Sequence, residues 1–148
     1  MNKKGFTLIE LLVVIAIIGL LSTLAVVSLG NARTKSRDAK RLSDIKQIQN
    51  ALEMYFNDRN TYPNPTAVNL SLGESNSNCL GMNGFVSTTL CVDDEFFMKD
   101  IPLDPLGEAY IYNGGVTTYT LRAVLESGGG GFASGPVTAT PNGLEGTR

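Results

Sequence analysis

Gly5-Phe6-Thr7-Leu8-Ile9-Glu10 opens the longest apolar run in the chain, and LLVVIAIIGLLSTLAVVSL, residues 11–29, completes it. No charged residue stands between Leu11 and Leu29. Nineteen such residues come close to the roughly 20 that cross a bilayer as a helix. Glu10 is the exception at its edge. A carboxylate there costs free energy and calls for a cationic partner. A simple secretory signal fits poorly, because the run is long and no small-residue cleavage site follows it before the basic segment.

Beyond the run the helical period persists. Leu42, Ile45, Ile48, Leu52 and Tyr55 recur at three- and four-residue spacing, with Lys46, Gln47, Asn50 and Glu53 off that stripe. One helix is expected from near Phe6 to about Asn57, ended by Asn60 and Pro63. Residues 58–91 read as a connecting loop. Asp93–Lys99 reads as a short helix, acidic at its start. Ala109–Tyr112 and Thr117–Leu125 read as strands flanking a hairpin signal at Asn113-Gly114-Gly115. Val137–Thr140 reads as an edge strand in a Gly-rich tail whose last residues fray.

The stretch MNKKGFTLIELLVVIAIIGLLS resembles the class III signal of type IV pilins and of the pseudopilins of type II secretion: a short basic leader, Gly5 before Phe6, Glu10 five residues after Gly5, then an unbroken apolar run. The resemblance is close over residues 1–29 and looser to about Pro63. It implies the type IV pilin fold, an α+β chain in which a long N-terminal stem helix packs on a small antiparallel β-sheet head. It implies a leader at 1–5, a transmembrane and filament-core helix at 6–30, an amphipathic stem at 31–60 and a head at 61–148. It also implies cleavage between Gly5 and Phe6 by prepilin peptidase, methylation of the new Phe6 amine, and Glu10 as the electrostatic mate of that amine. An ion pair in low dielectric depends steeply on distance and so sets axial register between staggered copies. Many pilins carry a proline in the second half of this run; Thr23–Val27 has none here.

The net charge of −2 hides an asymmetry. Residues 1–46 hold eight Lys/Arg and three Asp/Glu, a balance of +5; residues 47–148 hold four and eleven, a balance of −7. Arg33, Lys35, Arg37, Lys40, Arg41 and Lys46 form the basic stretch, for which three partners compete: lipid headgroups, the acidic head of another copy, or DNA phosphate. Charge flanking the span would place the N-terminus outside; the family resemblance implies the opposite orientation.

Cys79 and Cys91 are the only cysteines. In an extracytoplasmic head they read as a disulfide closing a loop of about 13 residues; in a reducing compartment they read as free thiols. Zinc is disfavoured, because the chain has no histidine and two thiolates fall short of four ligands. Asn69-Leu70-Ser71 matches a glycosylation acceptor.

No histidine, nucleophile elbow or phosphate loop supports catalysis, so no enzyme and no cofactor are expected. Calcium is the one ligand to weigh. Major secretion pseudopilins bind it in a loop after the hairpin, where this chain offers only Glu126 and glycines. Asp93, Asp94, Asp100 and Asp104 supply carboxylates elsewhere. Asp104-Pro105-Leu106-Gly107 followed by Tyr110 also resembles the pseudopilins' D-P-W-G turn, with Leu106 in the tryptophan's place.

The expected function is a type IV pilus subunit. It would be anchored in the inner membrane by one span before assembly, then polymerised with other copies into an extracellular filament by a membrane platform and its motor ATPase. A pseudopilin of a secretion or competence system is the alternative, and a monomeric membrane-tethered binding module the third.

Overall fold

A computed structural model describes residues 5–65, 67–91 and 96–148. The chain forms two compact units, one ending at Thr34 and the other Lys35–Arg148. Helix α1, Leu8–Arg59, contributes to both. It stops where Asn60 turns left-handed, at φ 55°, and its N–H donates to Phe56 O at 2.8 Å.

In the first unit α1 is apolar on every side. Its 18-residue window of highest mean hydropathy, 2.8, is exposed throughout among the described residues. Such a helix has no inner and outer face to sort.

In the second unit α1 buries one stripe and packs it against antiparallel strands. The strands are β1 (Leu70–Leu72), β2 (Cys79–Gly81), β3 (Gly84–Val86), β4 (Phe96–Met98), β5 (Tyr110–Gly114), β6 (Tyr119–Leu125), β7 (Gly135–Thr140) and β8 (Gly143–Gly146). Five form a sheet in the order β1-β5-β6-β7-β8, and three form a second in the order β3-β2-β4. Strand β6 alternates strictly. Tyr119, Leu121, Ala123 and Leu125 are buried, while Thr120, Arg122 and Val124 are exposed. Of that set, Tyr119, Leu121 and Ala123 meet Ile45, Ile48, Ala51, Leu52 and Tyr55 of the helix, with Tyr110, Tyr112, Leu72, Leu80 and Ala139, in one core. Buried hydroxyls are paired: Tyr112 donates to Pro63 O at 2.7 Å and Tyr110 to Asp44 Oδ2 at 2.9 Å.

This α+β architecture is the one expected; several local readings change. Residues 58–91 are not merely a loop. They hold β1, β2, β3 and a 3₁₀ turn at Thr88–Leu90. Gly84, at φ 93°, allows the tight β2–β3 hairpin. The expected helix at 93–99 is not formed over its second half, where Phe96–Met98 is strand β4 paired with β2; Asp93, Asp94 and Glu95 lie outside the described residues. In the β5–β6 hairpin the ladder runs on through Asn113 and Gly114, and the turn falls at Gly115–Thr118. Gly114 serves close approach rather than turning: a Cβ there would collide with Pro63 O and the Tyr112 ring. Strand β7 is not an edge, since β8, Gly143–Gly146 of the Gly-rich tail, pairs along its outer side.

Candidate functional site

The N-terminal end of α1 carries the first site. Thr7 precedes the first helical residue and Glu10 follows three residues later, the spacing of a capping box. The Thr7 N–H donates to Glu10 Oε2 at 2.9 Å and the Thr7 hydroxyl to the same oxygen at 2.6 Å. The Glu10 N–H returns a bond to Thr7 Oγ1 at 3.3 Å. The carboxylate singled out in the sequence therefore has a local partner within its own turn. Gly5 and Phe6 precede the helix, with Phe6 exposed and, among the described residues, nothing within 4 Å of where a Gly5 Cβ would stand. Residues 1–4 of the leader lie outside the described residues.

The second site lies within the head unit, around a buried guanidinium. Asp38 and Arg41 sit one turn apart on α1 and are buried, at 0% and 3% exposure. Arg41 Nη1 donates to Asp38 Oδ1 at 2.8 Å and to Glu126 Oε1 at 2.6 Å. Its Nε and Nη2 make a forked contact with Asp104, in the turn before β5. Arg37 adds a second fork onto Glu126, at 2.7 and 2.5 Å. Asp38 in turn accepts the backbone N–H groups of Glu126, Ser127 and Gly128 at 2.8–3.0 Å, and the Ser127 hydroxyl at 3.0 Å. One helix turn thus holds the end of β6 and the start of the glycine loop.

The electrostatics follow from that geometry. Hydrogen bonds from Arg37, then Arg41, pull the Glu126 carboxyl down to about 2. Burial works to raise Asp104 and Asp38. The Arg41 guanidinium outweighs it at Asp104, and the backbone N–H groups with Arg41 outweigh it at Asp38, so both lie below the usual carboxylate range. Asp44, buried against Tyr110, is raised by desolvation instead.

This cluster changes the calcium reading. Asp104 is a ligand of Arg41, and Glu126 of Arg37 and Arg41. Asp100 is exposed, and Asp93 and Asp94 lie outside the described residues. Among the described residues, no three acidic, Cys or His side chains gather to hold a metal ion. Three carboxylates do converge, but on a guanidinium.

Sequence reasoning passed over Asp38 and read Arg37 and Arg41 as part of a basic stretch for lipid, another copy or DNA, whereas both pair with carboxylates of their own chain. A signal existed: positions 38, 41, 45, 48, 52 and 55 form one three-four stripe, and its first two places are charged. Leu42, assigned to that stripe, is only half-buried beside it.

Cys79 and Cys91 are joined as a disulfide, with Cα atoms 6.6 Å apart, tying β2 to the end of the 3₁₀ turn. Asn69 is engaged on both sides: its N–H donates to Asn113 Oδ1 at 2.6 Å, and Asn113 Nδ2 donates to Asn69 Oδ1 at 3.0 Å. That reciprocal pair and the place of Ser71 in β1 leave the acceptor motif a structural corner.

Comparison with known proteins gives two matches to family models. Residues 1–26 match the prokaryotic N-terminal methylation motif, and residues 28–133 match protein G of the type II secretion system. Among curated relatives, type II secretion system core protein G of Escherichia coli (strain K12) is 35% identical over 110 residues, covering 74% of this chain and 71% of the relative. The core protein G of Vibrio cholerae is 31% identical over 135 residues, covering 88% and 87%. The type IV wide pilus major component PilA4 of Thermus thermophilus is 42% identical over 72 residues, covering 49% and 55%. No solved structure matches the chain.

Proposed function

The chain belongs to the type II secretion system protein G family, and from that premise we propose that it is the pseudopilin of a secretion machine, polymerised through its N-terminal helix into a short fibre. The family is structural rather than enzymatic, and its members polymerise after processing of a prepilin-like N-terminus. The apolar helix fits anchoring in the membrane before assembly.

The observation that carries the reading is the state of Leu8–Leu29. Its large apolar side chains are exposed all round. Burying such surface stabilises by about 25 cal/mol per Å². Only lipid or other helices of the same kind can provide that cover. Exchange of lipid for neighbouring helices is close to neutral in gross terms, so extraction draws on a membrane platform and its motor ATPase. We assign Met1–Gly5 as the leader, Phe6 as the methylated N-terminus and Glu10 as the partner of a neighbour's amine, in exchange for Thr7.

A second reading keeps one specific support. The relative from Thermus is named a pilus component, and the segment after β6 offers no carboxylate beyond Glu126 before Glu145. Under this reading the fibre extends outside the cell.

Electron microscopy of sheared cell surfaces, with the subunit identified by mass, separates the two. Processed chain confined to the envelope, with no long surface fibre at native level, is the expected result. Long surface fibres built of chains starting at Phe6 would move the assignment to a pilus. Unprocessed monomer would overturn both.

A further inference from the structure

The part of α1 inside the head unit sorts its charges by face. Between Lys35 and Asn50, the carboxylates Asp38 and Asp44 are buried, and Arg41 with them. Lys35, Lys40 and Lys46 are exposed. Lys40 lies near enough to buried Asp44 to favour its ionised form, and Lys46 Nζ donates to Gln49 Oε1 at 3.1 Å. Among the described residues none of the three makes an ion pair within 4 Å. At 1.5 Å rise and about 100° turn per residue, Lys46 stands about 16 Å along the helix from Lys35 and only about 20° round from it, a strip whose exposed charge is positive, while Lys40 lies about 140° round on the opposite flank.

Beside Lys35 the strip has a hollow. Lys35, Ala39 and Leu42 of the helix and Gly128–Gly130 of the loop frame an open groove of about 540 Å³. Gly130 stands at φ 60°, and a Cβ there would lie 2.8 Å from Leu42 Cδ1. Glycine keeps this floor open, and its walls are mainly apolar.

The rest of the head has the opposite sign. Residues 47–148 carry seven more acidic than basic groups. Glu74, Asp100, Glu108 and Glu145 are exposed, and among the described residues none of them makes an ion pair within 4 Å. Glu108 follows the turn that presents exposed Leu106. Two heads meeting acid to acid repel; a head meeting the lysine strip attracts. Lipid phosphate fits the strip less well. A headgroup layer is about 5–8 Å deep, so a helix crossing it presents about one of these lysines to phosphate.

We propose that the Lys35–Lys46 face of α1, with its glycine-floored groove, is a docking surface for the acidic head of a second copy of this chain. The inference rests on the fibre reading above and names the contact that would orient neighbouring heads. The exposed lysines and the acids of the partner copy pair across the contact, and the groove takes an apolar side chain between them.

The test uses fibres of the full processed chain, assembled from an equal mixture of ¹⁵N-labelled and unlabelled copies and treated with a zero-length carbodiimide cross-linker. Mixed-label cross-links are expected from Lys35 or Lys46 to Glu74, Asp100, Glu108 or Glu145. Fibres that give no mixed-label cross-link at these lysines overturn the proposal. The double variant Lys35→Glu/Lys46→Glu, checked for an intact Cys79–Cys91 bond and an unchanged melting point, should lose at least tenfold in fibre yield. Reversal of Glu108 and Glu145 to Lys should recover part of it. Fibres of the double variant at wild-type yield also overturn the proposal. So does a variant whose defect is confined to binding anionic phospholipid vesicles or DNA. Wild-type chains that are processed yet form no fibre would instead remove the fibre reading on which the proposal stands.

Discussion

Arg41 Nη1 lies 2.8 Å from Asp38 Oδ1, one turn back along the same helix, and the two side chains are 4% and 0% exposed. Neither is balanced by the other alone. Asp38 is spent on the backbone of Glu126–Gly128, and Arg41 on Asp104 and Glu126. The pair therefore joins three separate pieces of chain. Arg41→Ala leaves buried carboxylates facing each other, and breaking a buried pair this way costs about 3–5 kcal/mol. Denaturant unfolding of the full chain in detergent should show that loss, and a change under about 1 kcal/mol would mean that the cluster is ornamental.

Acid should weaken the same cluster. Glu126 has a folded value of about 2 against an ordinary 4.5, because of Arg37 and then Arg41. A depressed carboxyl contributes stability that is complete above about pH 4.5 and is lost as pH falls toward 2. Asp38 and Asp104 shift the same way. Asp44 opposes them: its raised carboxyl favours the protonated form in the fold, so its ionisation subtracts stability as pH rises. Urea midpoints should thus fall between pH 4.5 and 2, and Glu126→Gln should fall less steeply. Parallel curves would detach Glu126 from acid sensitivity.

The Cys79–Cys91 bond spans 12 residues of sequence. In the chain-entropy model a loop of that size stabilises by about 3 kcal/mol. Cys79→Ser/Cys91→Ser should lower stability by that order and loosen β2 and the Thr88–Leu90 turn first. Amide exchange at Leu80 and Thr88 reads that effect, and unchanged protection there would place the benefit elsewhere.

Gly114→Ala should cost more than an ordinary strand substitution. The new Cβ would press on Pro63 O and the Tyr112 ring, and overpacking of this kind costs about 1–3 kcal/mol. Gly115→Ala meets only ordinary contact, 3.6 Å from Thr118 O, and should be milder. Melting both variants side by side gives the comparison; equal losses would mean that the close approach is relieved cheaply.

Native protein should have lost Met1–Gly5 and carry a methyl group on Phe6, read by intact mass. Glu10→Gln should leave processing in place and reduce fibre yield, because a neutral amide cannot pair with a neighbour's amine. Full yield from Glu10→Gln would remove the charge from any role in register.

The long helix was legible because its signals are local: an uninterrupted apolar run, a three-four stripe from Ile45 to Tyr55, and Asn60 as its stop. Strand β6 was legible because residues 117–125 are rich in strand formers and follow the Asn113-Gly114-Gly115 signal. Strands β1 to β4 were not, since each has three residues and depends on remote partners. Phe96–Met98 was misread because the acids before it mimic the start of a helix, whereas the pairing with Leu80 and Gly81 that decides it is non-local. Strand β8 was hidden by glycines that lower strand propensity, and it forms because Val137–Thr140 offers a partner edge. At the N-terminus, Thr7 and Glu10 stood in plain sight at capping-box spacing, yet Glu10 was considered only with an amine.

The Asp38–Arg41 clamp also works as an index mark. A helix held to a sheet by an apolar stripe alone can roll a few tens of degrees at modest cost, because hydrocarbon contacts are non-directional. Hydrogen bonds to Glu126, Ser127, Gly128 and Asp104 are directional and allow one azimuth within the head. Rolling α1 by one residue, about 100°, would carry the acids outward and a lysine inward. The clamp keys the helix like a shaft in a slot, so every copy leaves its folding pathway with the same compass bearing on its surface charges.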